Sequence, residues 1–270
     1  MIIDGFLFFN ELDLLEIRLE IMNPFVDKFV IVESDTTFSG IHKEFILENE
    51  LDRFSKYKDK IIYHKVFYSD KIYENTWQGH QRNEIYKGIE KINNLKEDDI
   101  IIISDLDEIP DLSDIDLRLD TVNTIVTYFY YFYLNYRIIS AKWKSQCILT
   151  MDCLNKIYDN KPEYVRRGIL PGNINIRESR NYIQNKGWHF SYLYGDNRLV
   201  ENIQQKVRSF SQHQDYNKEE YMNAITLETK IKNMTDIFNR DYTYEVITDL
   251  SYLPRYILNN IDKYSHLIKK

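Results

Sequence analysis

The chain has 270 residues, 43% hydrophobic and 14% aromatic, with a formal net charge of −7. That length and composition allow a sizeable core, and an acidic balance without a long basic run argues against a nucleic-acid polyanion as partner. Two cysteines, Cys147 and Cys153, are too few for a disulfide framework and point to a reducing compartment. There is no basic-then-apolar leader and no apolar run of about 18–20 residues, so the expectation is a soluble, cytoplasmic protein without signal peptide, membrane anchor or transmembrane segment.

Residues 2–9 read as a first strand, broken by polar residues 10–13. Leu12, Leu15, Ile17, Leu19 and Met22 then mark a helical stripe, ended by Asn23-Pro24. Residues 29–32 predict a second strand, 44–54 a helix, 60–66 a third strand and 77–94 another helix. The run 100–103, four isoleucines, predicts a fourth strand buried on both faces. Alternating strands and helices indicate βαβ units and a mainly parallel sheet. Beyond Pro110 the texture changes. Residues 121–136 and 143–150 predict antiparallel strands appended to that sheet, 166–179 a loop, 187–194 a strand, and 197–210, 218–232 and 254–268 helices. No linker divides the chain. The expectation is one compact domain, 1–270, with a nucleotide-binding half (1–110) and an acceptor-binding half (111–270).

The isoleucine run is followed at once by Ser104, Asp105, Leu106, Asp107 and Glu108, then Pro110. Three carboxylates therefore sit where a buried strand leaves the sheet. In open α/β sheets the ligand crevice lies at such carboxyl ends. Asp-x-Asp there suits a hard divalent cation held by few protein oxygens and completed by phosphate oxygens; the alternative is a polar turn that caps a helix. Other strands of this half also end in polar residues: Asn10 and Glu11 after the first, Glu33 to Asp35 after the second. If the strands are parallel and adjacent, these groups converge on one edge.

Arg82 and Asn83 lie on the helix that feeds the fourth strand. The planar fork of an arginine there matches a diphosphate; the alternative is a surface ion pair with Glu84 or Glu90. His189, between Trp188 and Phe190, is a core histidine or a third ligand for Mn²⁺. His213, with Gln214 and Asp215, ends a predicted helix and fits ordinary capping there.

These residues, taken together, resemble glycosyltransferase family 17. The resemblance runs through residues 4–19 (DGFLFFNELDLLEIRL), 26–40 (VDKFVIVESDTTFSG), Gln81-Arg82-Asn83, 102–110 (IISDLDEIP) and 187–192 (GWHFSY), and weakens at 209–217 (SFSQHQDYN). That family includes the enzymes that add bisecting N-acetylglucosamine to N-glycans. The resemblance implies a GT-A fold, a Rossmann-like sheet with an attached acceptor region. It implies a UDP-sugar donor, UDP-N-acetylglucosamine above all, a Mn²⁺ or Mg²⁺ ion, a carbohydrate acceptor, and inversion at the anomeric carbon. Asp105 and Asp107 take the places of its Asp-x-Asp. Asn10, Glu11 and Glu33 fall where uracil and ribose are held in GT-A enzymes, and Arg82 and Asn83 where a helix meets the donor. Near Ser209 the chain departs from the family pattern: Gln212 intervenes and Asp215 stands where a glutamate is expected. The animal enzymes are Golgi-anchored, and no anchor is seen in this sequence.

A metal bridging the diphosphate would act as a Lewis acid on the leaving group. Asp107 is expected to contact it directly. Asp105 is expected to reach the ribose or, through water, the metal; His189 is the favoured third ligand, with His213 the alternative. Inversion needs a carboxylate base against the acceptor hydroxyl; Glu108 and Asp215 are the candidates, Asp152 and Asp196 outsiders. Tyrosines in 128–136 and Trp143 are candidates for the acceptor site. The competing readings are a GT-A transferase using UDP-glucose or UDP-galactose, and a non-catalytic carbohydrate-binding protein on the same fold. A metal-dependent nucleotidyltransferase would share the Asp-x-Asp, but no Gly-rich phosphate loop is present.

Overall fold

The computed structural model of the chain describes residues 1–68, 77–195, 198–210 and 213–270, with the backbone alone for His213 and Gln214. In chain order it contains β1 (Ile2–Phe8), α1 (Leu12–Met22), β2 (Lys28–Ser34), β3 (Ile61–Val66), α2 (Trp77–Ile89), β4 (Ile100–Asp105), β5 (Glu108–Pro110), β6 (Asn123–Tyr131) and β7 (Tyr136–Thr150). There follow α3 (Met151–Lys156), α4 (Pro162–Arg167), β8 (Ile169–Leu170), β9 (Ile174–Asn175), β10 (Asn181–Ser191), α5 (Leu199–Ser209), α6 (His213–Tyr216), α7 (Glu219–Met222), α8 (Ala224–Lys232), β11 (Tyr244–Val246) and α9 (Arg255–Asn259).

A mixed sheet organises the molecule, in the order β3-β2-β1-β4-β7-β6-β10-β5, with β11 paired to β7. The first four strands are mutually parallel. The isoleucine run is central, as its composition requires. Ile102 faces the core shared with Leu14, Leu15 and Leu19 of α1, while Ile101 and Ile103 face Ile85 and Ile89 of α2. Strand alternation thus divides one apolar run between two helical layers, each buried side chain contributing about 1.5–3 kcal/mol. The aromatic β6, with α5 and α8, forms a third core around Phe129, Tyr131, Ile203, Val207 and Leu227.

Several sequence expectations are corrected. The helix expected over 44–54 is replaced by 3₁₀ turns, Leu47–Asn49 and Leu51–Tyr57, because the Glu33 carboxylate accepts hydrogen bonds from the backbone N–H groups of Ile46 and Leu47 and bends the chain there. The 77–94 helix stops at Ile89. The tyrosine-rich run is two strands, since Phe132 turns the chain with φ 64° before β7 begins at Tyr136. The antiparallel strands do join the first sheet as expected: β7 pairs with β4, the outer strand of the parallel set, and β6 pairs with β7. Residues 166–179 hold the end of α4 and the small β8–β9 hairpin. The 218–232 helix breaks at Asn223, whose side chain caps α8 by accepting from the Thr226 N–H. The 254–268 helix reduces to α9 and a 3₁₀ turn, Ser265–Leu267.

Pro110 ends β5, the last strand of the sheet, an edge position where a missing N–H is tolerated. Gly187 opposes it in β10 with φ 129°, and a Cβ there would lie 2.4 Å from the Ile109 carbonyl oxygen. Only glycine allows this approach. Both cysteines are free and buried, and burial pushes the Cys153 thiol up to about 11. Among the described residues no helix is long and apolar enough to cross a membrane.

Gly187→Ala should lower stability by about 1–3 kcal/mol in urea unfolding, because the backbone strain cannot be relieved without moving β5; a change within experimental error would show that the approach is not constrained. The native thiols should resist a maleimide at pH 7.5 and react on unfolding, since both are buried and Cys153 forms little thiolate so far below its raised value; stoichiometric labelling of the folded protein would contradict this.

Candidate active site

Strands β2 and β3 lie on one side of β1 and β4 on the other, so the strand order reverses between β1 and β4. Ligand crevices in parallel α/β sheets open at this point, beyond the carboxyl ends. A cleft of about 520 Å³ lies there, lined among others by Phe9, Glu11, Arg82, Asp105, Asp107, Glu108, Arg166, His189 and Lys206.

The turn that carries the acidic residues is built on Arg18. This arginine projects from α1, is fully buried, and donates through Nε and Nη2 to both oxygens of Asp4 in β1, at 2.9 and 2.7 Å. Its Nη2 also reaches the Ser104 hydroxyl, and its Nη1 reaches the carbonyl oxygens of Asp105, Leu106 and Glu108 at 2.9, 3.2 and 2.7 Å. The backbone between β4 and β5 therefore has its buried carbonyls satisfied by one side chain. From the other side, the Phe190 N–H donates to the Asp107 carbonyl at 2.8 Å.

Asp105 accepts from Arg82 at 3.0 Å and from Arg166 at 2.9 Å. Burial would raise its pKa, but the two guanidinium groups outweigh it and hold the carboxyl below its usual range. Arg82 also pairs with Glu163 of α4, rather than with Glu84 or Glu90. Asp107 has Lys206 Nζ at 3.3 Å from Oδ2 and His189 Nε2 at 3.4 Å from Oδ1. Burial again acts upward, and Lys206 and His189 overcome it, so the group ionises well below the carboxylate norm. Lys206 in turn lies 3.1 Å from Glu11; burial would lower its pKa, but the two carboxylates raise it well above the lysine value.

Glu108 is fully buried. Its carboxylate accepts from Arg166, from the Trp143 indole N–H and, at 2.9 Å, from the Asp105 backbone N–H. His189 stands opposite Glu108 in the β10–β5 register, stacked on Phe129 with centroids 4.4 Å apart. Ligand atoms of Asp107, Glu108 and His189 lie within 4.8 Å of one another, and His189 Nδ1 is buried without a hydrogen-bond partner among the described residues. Five carboxylates line the cleft (Glu11, Asp105, Asp107, Glu108, Glu163), and Arg82, Arg166 and Lys206 pair with them. Carboxylate oxygens and an imidazole this close together fit a divalent cation of the Mn²⁺ or Mg²⁺ kind.

The structure brings Glu11, Arg82, Asp105, Asp107, Glu108 and His189 into one cleft. It does not bring the rest there. The oxygens of Glu33 are taken by Lys43, Tyr63 and the N–H groups of Ile46 and Leu47, and the residue does not line the cleft. Asn83 caps α4 by accepting from the Glu163 N–H. Asn10 lies beside Gln205 of α5. Asp215 is exposed on α6, Asp152 pairs with Lys156 on α3, and Asp196 and the His213 side chain lie outside the described residues. Of the aromatic run, Phe129, Tyr131 and Trp143 line the cleft, whereas Tyr130 enters the core and Tyr128 lies under Arg137 and Lys142.

Sequence reasoning missed Arg18, Glu163, Arg166 and Lys206. Arg18 had a signal: it lies four residues after Leu14 and three after Leu15, on the apolar face of α1, with Asp4 inside an apolar strand. Lys206 lies three residues beyond Ile203 on the inner face of α5.

With this geometry in hand, comparison with known proteins is decisive. The family model for glycosyltransferase family 17 matches residues 1–269. The chain belongs to glycosyltransferase family 17. It is similar to the beta-1,4-mannosyl-glycoprotein 4-beta-N-acetylglucosaminyltransferases of mouse, rat and human, with 23% identity across 96% of this chain and 53% of each relative. The chain thus spans about half the length of these relatives.

Arg18→Met should cost about 3–5 kcal/mol in urea unfolding, because it leaves the Asp4 charge buried and unpaired. A loss under about 1 kcal/mol would contradict the role given to this pair.

Proposed function

We propose that the chain is a single-domain GT-A transferase that moves N-acetylglucosamine from a UDP donor to a carbohydrate hydroxyl, with inversion and with a divalent cation. The observation that carries this reading is the position of the acidic turn: Asp105, Asp107 and His189 meet in a cleft at the point where the parallel strand order reverses, in a chain matched to family 17 over almost its whole length. The activity named for the mammalian relatives supports N-acetylglucosamine as the sugar.

Asp107 and His189 would hold the cation, which would supply Lewis-acid stabilisation to the departing diphosphate. Asp105, clamped by Arg82 and Arg166, is set to accept from the donor's ribose hydroxyls. Arg167 and Arg177 line the same cleft with no carboxylate partner among the described residues, which suits an anionic donor. The aromatic wall of Phe129, Tyr131 and Trp143 offers ring faces to a sugar. Of the two base candidates, Asp215 is exposed on α6 and does not line the cleft, which leaves Glu108. Glu108 keeps its oxygens on Arg166, Trp143 and the Asp105 N–H, so it serves as base only when the entering acceptor draws one of these donors away.

Calorimetric titration with UDP should show Mn²⁺-dependent binding that Asp107→Asn abolishes while circular dichroism stays native. Hydrolysis assays with UDP-N-acetylglucosamine, UDP-glucose and UDP-galactose should rank the first highest. Undiminished Mn²⁺-dependent binding in Asp107→Asn would remove the metal role, and preference for another donor would replace the sugar.

A further inference from the structure

Among the described residues, Lys206 is the one ammonium that reaches both edges of the strand reversal. It comes from α5, in the second half of the chain, and stands between Glu11, just beyond β1, and Asp107, just beyond β4. The helix is fixed by Ile203 and Val207, which are fully buried on either side of it in sequence. The Ser209 carbonyl, near its end, accepts from the Ser39 N–H at 3.1 Å. The ammonium is therefore delivered by a packed helix. It sits on the Asp107 carboxylate, which also faces His189, on the oxygen opposite the one His189 approaches.

An ammonium and a divalent cation cannot share this carboxylate without strong mutual repulsion in a partly buried site. We propose that Lys206 holds the cation's seat on Asp107 and yields it when a cation enters with a nucleotide diphosphate, whose oxygens then receive the displaced ammonium. This rests on the reading of Asp107 as a metal ligand. One consequence is thermodynamic coupling. A bare cation must displace Lys206 into water or onto Glu11 alone, whereas a cation arriving with a diphosphate provides the lysine with new acceptors. Donor and metal then raise each other's affinity by the same factor. The lysine would act by selecting against the metal alone, and the cleft would take up the cation only together with a nucleotide.

The test is calorimetric titration of Mn²⁺ into the full chain, with and without saturating UDP, for the wild type, Lys206→Met and Asp107→Asn. Lys206→Met should bind bare Mn²⁺ about tenfold more tightly than the wild type, and the gain in Mn²⁺ affinity on adding UDP should shrink by a similar factor. Lys206→Gln is measured beside it, since it keeps a polar end toward Glu11. For both variants, thermal melts in EDTA and in Mn²⁺ give a second readout: the Mn²⁺-induced rise in Tm should exceed that of the wild type. Unchanged or weaker Mn²⁺ binding in both lysine variants, with binding abolished in Asp107→Asn, overturns the role of Lys206 and leaves the metal reading standing. No Mn²⁺ binding to any of the proteins, with or without UDP, overturns both.

Discussion

The guanidinium of Arg18 is the contact on which the site depends. A buried charge of this kind is tolerated only when every donor is satisfied. Asp4 neutralises it, and three carbonyls and the Ser104 hydroxyl take its remaining N–H groups. Those carbonyls belong to Asp105, Leu106 and Glu108. The arginine thus converts a polar turn, which would otherwise have to seek water, into a fixed part of the interior. Its planar fork also sets directions, so α1, β1 and the exit of β4 are locked in one arrangement. The carboxylates of the turn point into the cleft because their own backbone is held from behind.

In front of the turn, the acidic side chains draw cationic partners from three different elements. Arg82 comes from α2, Arg166 from α4 and Lys206 from α5. These partners hold Asp105 and Asp107 ionised despite burial, and they make the cleft a meeting point of the two halves of the chain. The paired residues are also linked: Glu108 holds Arg166, which holds Asp105, and Glu163 shares Arg82 with Asp105. A ligand that engages one of them shifts the balance for the rest.

The second half of the chain supplies the walls. Strand β7 pairs with β4, β6 and β11 and carries Trp143 to Glu108. Strand β10, placed between β6 and β5, carries His189 to Asp107. The glycine at 187 permits that placement. His189 is both packed and poised: Phe129 and Trp143 enclose its ring while its Nε2 faces the carboxylate. The two readings of this histidine, core residue and ligand, are therefore not in conflict.

The sequence by itself determined the parallel front of the sheet, the exposure of an acidic turn at its edge, and the family. Those features are local: β-branched runs, alternation, polar strand ends and ordered motifs all lie within short windows. It also pointed to Arg82, Asp107 and His189 as cleft residues. Only the tertiary structure decided what surrounds them. Arg166 lies 61 residues from Asp105, on α4, and Lys206 lies 99 residues from Asp107, on α5, and no periodicity encodes which lysine or arginine will arrive. Glu33 and Asn83 likewise have partners that no local pattern announced, Lys43 and the Ile46 and Leu47 N–H groups for the first and the Glu163 N–H for the second. A carboxylate at a strand end is equally able to hold a ligand or to organise a neighbouring turn, and the choice is made by whichever N–H groups the fold brings within reach.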